Sequence, residues 1–215
     1  MYLMKITEIT KKIFQVSYVT QKELAKAFCR FQEYYESPEF AGKIFTLPQY
    51  RKWYSKRYGG WTYYTDWGGF NVPEYVFEPF KTGSFDPLTK AEKQLLNAFR
   101  HRNGRFYVIG TFGNDPDSLD HEICHALFYL DHEYKKAVLN KLCISALNQP
   151  KKFRALKDWL VTGRGYSDGF VLDEMQAYLA CNAIELYYDH EIDAPDVYGE
   201  LQNIKKRFFK KSRIT

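Results

Sequence analysis

Residues 12 to 20 (Lys-Ile-Phe-Gln-Val-Ser-Tyr-Val-Thr) alternate apolar and polar side chains, with Phe14, Val16 and Tyr18 on one side. A period of two marks a half-buried strand. Thr20 with Glu23 has the spacing of a capping box and opens a helix to about Tyr35, with Leu24, Ala25, Phe28 and Cys29 on one face. Residues 59 to 87 are rich in Gly, Pro and aromatics and read as loops with short strand pieces. Thr89 with Glu92 starts a second capped helix to about Arg100, and Asn103-Gly104 makes a turn. Residues 105 to 112 read as a strand. Asp115-Pro116 then supplies an N-cap followed by proline at the first helical position. Beyond that helix the periodicity predicts helices at about 132–147, 151–161, 170–188 and 196–210, with a loop at 163–169. The order of elements predicts an α+β fold: a small sheet packed on helices, then a mostly helical C-terminal half.

The chain has 215 residues, enough for one domain with a substantial core. Neither an internal repeat nor a low-complexity linker divides it. The expected organisation is a single domain over 1–215, with an N-terminal part at 1–104 of unassigned role. A functional core at 105–188 follows, then a helix and basic tail at 189–215. Aromatics make up 18% of residues, which suits both bulky core filling and binding grooves. The net charge of +5 comes largely from two runs, Arg51 to Arg57 and Lys205 to Arg213. Runs of this kind are most often solvated faces, so nucleic acid is not the expected partner. Cys29, Cys124, Cys143 and Cys181 contain no Cys-x-x-Cys pair and sit in apolar, helix-like stretches. They read as reduced core thiols of a protein made in a reducing compartment. The N-terminal residues lack the apolar run of a signal peptide, and no stretch reaches the length of a membrane span. The expected location is cytoplasmic.

The chemistry concentrates at His121-Glu122-Ile123-Cys124-His125, an H-E-x-x-H pattern on the helix that Asp115 caps. Positions i and i+4 share a helix face, so both imidazoles can reach one metal ion. Glu122 is offset around the helix and can stand beside a water on that metal rather than on the metal itself. Zinc lowers the pKa of such a water toward about 7, and Glu122 can accept its proton as general base. A catalytic zinc takes three protein ligands and leaves one position open. Asp131 and His132 are poor candidates for the third. On a continuing helix they lie about 15 Å from His121 and about 10 Å from His125, respectively. Glu174, in the next-but-two helix, is the better candidate, because Ala177 one turn on allows close packing. Asp173 is the runner-up, suited to accept a hydrogen bond from a ligand imidazole.

With these residues the chain resembles the gluzincin branch of the zincin metallopeptidases over about residues 105 to 185. The resemblance implies a zincin-like fold, one zinc ion per chain, His121, His125 and Glu174 as metal ligands, and Glu122 as general base. The lethal-factor-like peptidases carry an oxyanion-stabilising tyrosine shortly before their glutamate, and Tyr166 occupies a similar place here. Tyr178 and His190 stand behind Tyr166 for that role. The chain departs from the thermolysin-like group by having Tyr178 four residues after Glu174 and Asp173 before it, so no narrower subfamily is implied. In the family an edge strand beside the cleft pairs with extended peptide, and residues 106–112 are the candidate. The expected activity is zinc-dependent hydrolysis of peptide bonds in a peptide or protein substrate. The competing expectations are a zincin-like protein that binds a partner through basic and aromatic surfaces without hydrolysis, and a structural zinc closed by a fourth ligand.

Overall fold

A computed structural model describes residues 4–212. The start of the N-terminal reading (Met1 to Leu3) and the end of the basic tail (Arg213 to Thr215) lie outside them. In chain order the elements are strand β1 (Lys5–Thr10), strand β2 (Ile13–Tyr18), helices α1 (Gln21–Glu36) and α2 (Leu47–Tyr58), and strand β3 (Gly69–Pro73). Helices α3 (Glu78–Lys81) and α4 (Lys90–Phe99) and strand β4 (Tyr107–Phe112) follow. The rest is helical: α5 (Pro116–Leu130), α6 (His132–Asn148), α7 (Pro150–Asp158), α8 (Val171–Cys181), α9 (Ala183–Tyr188) and α10 (Tyr198–Ser212). The four strands form one mixed sheet, so the fold class is α+β. Two compact units divide the chain. One runs up to Glu8 and resumes over Lys12–Ser118; the other takes Ile9–Lys11 and the chain from Leu119 onward.

In the first unit the alternation read from the sequence does what it predicts: Phe14, Val16 and Tyr18 of β2 are all buried. The sheet order is β1-β2-β4-β3, with β4 parallel to β2 and antiparallel to β3. This corrects one expectation. The strand at 106–112 is not an edge; both its sides are hydrogen-bonded, so it has no free backbone to offer an extended peptide. The edges are β1 and β3. Helix α1 lies across β4 at Gly110, where any side chain would meet Leu24 and Phe28 at 2.7 Å. An aromatic core continues behind it: Phe80 stacks on Phe31 and on Phe85, each with ring centroids 3.9 Å apart. Helix α2 belongs to this core through buried Tyr50 and Tyr54 and starts at a full capping box of Thr46 and Gln49. The basic run Arg51 to Arg57 is therefore the outer face and last turn of a helix, where Lys56 and Arg57 suit the negative end of the helix dipole.

One buried ion pair sits inside this apolar unit. The Arg30 guanidinium donates to both Glu92 oxygens at 2.6 Å and to the Phe85 carbonyl at 3.0 Å. Glu92 also accepts from the Thr89 backbone N–H at 2.7 Å, completing the capping box of α4. Every oxygen of this carboxylate is used.

In the second unit, α10 packs on α6 and α8. Leu201 and Phe208 bury its apolar face, and Phe208 meets the ring of Tyr134 edge-on at 5.7 Å. The helix read at 170–188 is two helices: α8 ends at Cys181 and α9 begins at Ala183, with Asn182 between them at φ −117° and ψ 21°. Helix α7 runs on into a π-helical turn at Trp159–Gly163, a local widening often found at functional sites. The four cysteines are free, but only Cys29 and Cys124 are buried; Cys143 is exposed, so it is not the core thiol its surroundings suggested. Among the described residues no helix is long and apolar enough to cross a membrane.

Candidate metal centre

Helix α5 is set by its cap. Asp115 accepts from the Ser118 backbone N–H at 3.1 Å and from its hydroxyl at 2.6 Å, and Pro116 fills the first turn. The helix carries His121, Glu122 and His125 inward: Glu122 is 8% exposed and His125 2%. Glu174 stands in the first turn of α8 and is 3% exposed. One ligand atom from each of His121, His125 and Glu174 lies within 4.8 Å of the other two, and among the described residues this is the one such group. His121 Nε2 is 3.6 Å from Glu174 Oε2, and His125 Nε2 is 3.6 Å from Glu174 Oε1. Those lengths are too long for hydrogen bonds. They are close to the roughly 3.4 Å that separates ligands placed tetrahedrally about 2.1 Å from a common ion. Glu174 Oε2 is buried and has no hydrogen-bond partner, an uncompensated position that a cation would satisfy.

Each imidazole is held from behind. His125 Nδ1 lies 2.9 Å from Asp173 Oδ1. Asp173 accepts from Gln176 Nε2 at 3.1 Å, and Gln176 Oε1 accepts from the Tyr134 hydroxyl at 2.9 Å. His121 Nδ1 lies 2.8 Å from Asn182 Oδ1, and Asn182 Nδ2 donates to Glu185 Oε2 at 2.8 Å. An oxygen acceptor at Nδ1 fixes that nitrogen as the protonated one and turns Nε2, as a lone pair, toward the cluster. Asp173 thus lies where it can accept a hydrogen bond from an imidazole, the contact its place beside Glu174 suggested. Asn182 was not anticipated. The signal was present as an asparagine inside an apparently continuous helix, since asparagine favours helix ends.

The field at the cluster favours positive charge. Burial works against a charged His125, but Asp173 and Glu174 outweigh it and hold its pKa well above the ordinary histidine value. Burial is likewise outweighed at His121, where Glu174 raises the pKa. Burial alone would push Glu174 up; the neighbouring His125 and His121 reverse this and bring it below the usual carboxylate range. With both histidines neutral, their two Nε2 atoms and the Glu174 carboxylate make a donor set that could hold a metal ion.

Tyr166 reaches this cluster: contact with its hydroxyl is among the influences that lower the Glu174 pKa. The π-helical turn places it, through hydrogen bonds from Arg164 N to Trp159 O and from Tyr166 N to Leu160 O. Tyr178 stands edge-on to His121 at 4.9 Å and to Trp159 at 5.2 Å. His190 is a layer further out, against Trp159 at 4.9 Å. Arg164, another residue that the sequence pattern did not single out, lies 5.7 Å above the Trp159 ring; burial works against its charge, but Tyr178 and Tyr166 outweigh it and raise its pKa. The two rejected ligand candidates are occupied elsewhere. Helix α5 stops at Leu130 instead of continuing, and Asp131 caps α6 by accepting from Glu133 N at 2.9 Å and Tyr134 N at 3.0 Å. The His132 side chain is 86% exposed. Comparison with protein-family models, with characterised proteins and with solved structures finds no match to this chain.

Proposed function

We propose that the protein is a zinc-dependent hydrolase, a gluzincin-type peptidase with a zincin-like fold. The observation that carries this reading is the convergence of His121, His125 and Glu174, whose buried Oε2 has no hydrogen-bond partner, with Glu122 close enough to act on both imidazoles. His121, His125 and Glu174 would hold the ion. Zinc bound there supplies Lewis acidity, which acidifies a water and polarises a scissile carbonyl. Glu122 accepts the proton of the attacking water and passes it to the leaving amine. Asp173 and Asn182 keep both Nδ1 atoms protonated, so the two Nε2 lone pairs stay directed at the cluster. The Tyr166 hydroxyl donates to the carbonyl oxygen as negative charge develops on it. An unfolded polypeptide is the substrate class.

The test compares zinc-loaded wild type with Glu122→Gln on a permanently unfolded protein. Glu122→Gln is expected to retain one zinc per chain while losing cleavage by at least about a hundredfold. Tyr166→Phe is expected to lose about a hundredfold in kcat, the usual loss for one oxyanion donor. Equal turnover by wild type and Glu122→Gln would sink the proposal.

A further inference from the structure

Behind the metal cluster, on another face of α5, a second reactive group is assembled from residues that the hydrolase reading does not use. Cys124, which precedes His125 in the chain, is fully buried, and Cys181 is the last residue of α8. Their sulfurs are 3.3 Å apart, although 57 positions separate them in sequence. A disulfide bond is about 2.05 Å, so the sulfurs need to approach by only about 1.3 Å. Both thiols point at the same backbone carbonyl, that of Asp120, at 3.6 Å for Cys124 and 3.4 Å for Cys181. A cation completes the group: Lys205 of α10, 5% exposed, places Nζ 3.2 Å from Cys181 Sγ and pairs with the Asp120 carboxylate. An ammonium beside a half-buried thiol, with a second thiol in van der Waals contact, is the arrangement of an attacking and a resolving cysteine.

We infer that Cys124 and Cys181 are a redox-active dithiol that closes to an intramolecular disulfide tying α5 to α8, with Lys205 holding the Cys181 thiolate. The co-reactant is a low-molecular-weight disulfide such as oxidised glutathione. The Cys181 thiolate attacks one of its sulfurs, breaking that S–S bond, and one thiolate leaves. The Cys124 sulfur, losing its proton to that thiolate, then attacks Cys181 Sγ and expels the second thiolate. The net change is one protein disulfide and two small thiols, with two electrons passed to the oxidant. Lys205 stands on the Cys181 side, so Cys181, the more exposed sulfur, reacts first. Residues 124 to 181 become a closed loop, which removes freedom from the unfolded chain. This chemistry needs no metal at the neighbouring cluster and stands apart from the hydrolase proposal.

The experiment uses the full chain with Cys143→Ser, which removes the exposed thiol and leaves Cys29, Cys124 and Cys181. The protein is incubated with oxidised glutathione and mapped by mass spectrometry without reduction. The expected product is a peptide linking Cys124 to Cys181, with one free thiol remaining and a melting temperature raised by about 5 °C or more. Accumulation of a stable glutathione adduct on Cys181 without closure, or no reaction of the pair, would overturn it. Lys205→Met is expected to slow closure at least about tenfold and Lys205→Arg to restore it. Closure at the wild-type rate in Lys205→Met overturns the part assigned to Lys205.

Discussion

Each unit of the molecule buries charge, and the two do it differently. In the first, Arg30 and Glu92 close on each other. Two hydrogen bonds of 2.6 Å, carbonyls at 3.0 and 3.4 Å and a helix cap occupy both carboxylate oxygens and all three guanidinium nitrogens. In the second, His121 and His125 each stand 3.6 Å from Glu174, and Glu174 Oε2 has no hydrogen bond. What closes in that second group is its outside: both Nδ1 atoms are bound by Asp173 and Asn182. A buried ion pair that satisfies itself is architecture. One that is secured from behind and left open toward its centre could hold a cation there.

The contrast can be broken at its closed end first. Arg30→Met or Glu92→Leu alone strands one buried charge and is expected to cost about 3–5 kcal/mol in chemical denaturation. The double variant should recover to within about 1.5 kcal/mol of wild type, because an apolar pair of similar volume suits this aromatic surrounding. Zinc stoichiometry should be unchanged in all three.

At the open end, Glu174→Ala or His121→Ala removes a ligand. Zinc affinity, read by chelator competition, should fall by more than about a hundredfold, beyond the usual effect of a supporting residue. Wild type should gain about 2.7 kcal/mol of stability at a free zinc concentration of 100 Kd, and these variants should gain little. Asp173→Ala and Asn182→Ala keep the ligands but release the rings; each should lower zinc affinity by about ten- to a hundredfold. An unaltered affinity in both would reduce their contacts with the histidines to packing. Affinity in the wild type should decline as pH falls, since protons compete with metal for the imidazoles.

The smallest expected effect lies back in the first unit. Burial pushes the Glu33 carboxyl up to about 7, although the hydroxyls of Tyr63, Tyr50 and Ser37 pull against it. A raised carboxyl pKa favours the protonated folded state. Its contribution to stability is therefore full below an unfolded pKa near 4.5 and is lost as pH rises through 7. Between those values it should make the protein less stable by about 1–2 kcal/mol, a figure reduced for partial exposure. Glu33→Gln should flatten that slope in urea titrations across the same range. An unchanged slope would remove Glu33 as its source.

Much of this was legible in residue patterns because the signals were local. Thr89 with Glu92, Asp115 with Pro116, and the alternation in β2 each act within four residues, and each forms the element it implies. Thr20 does cap α1, but the box is one-sided: its hydroxyl donates to the Glu23 carboxylate instead of leaving that carboxylate for the backbone. Helix α2 was hidden by its basic residues, which masked the apolar positions Tyr50 and Tyr54. Strand β1 was hidden by its mostly exposed residues, since an edge strand with little burial has no alternation to show. At the site, H-E-x-x-H and Glu174 were readable because helical spacing and a second helix suffice to nominate them. Asn182 and Arg164 were not, because their roles depend on where α8 ends and how the π-helical turn swings the following loop. The Cys124–Cys181 approach is likewise a tertiary fact, invisible in a sequence where the two stand 57 residues apart.

If the open cluster is a three-ligand metal site, zinc-edge anomalous scattering from crystals of the zinc-loaded protein will locate the ion there. One strong peak per chain is expected, about 2.0–2.2 Å from His121 Nε2, His125 Nε2 and a Glu174 oxygen, with no fourth protein ligand. A peak elsewhere, no peak at this cluster, or a fourth side chain on the ion would contradict it.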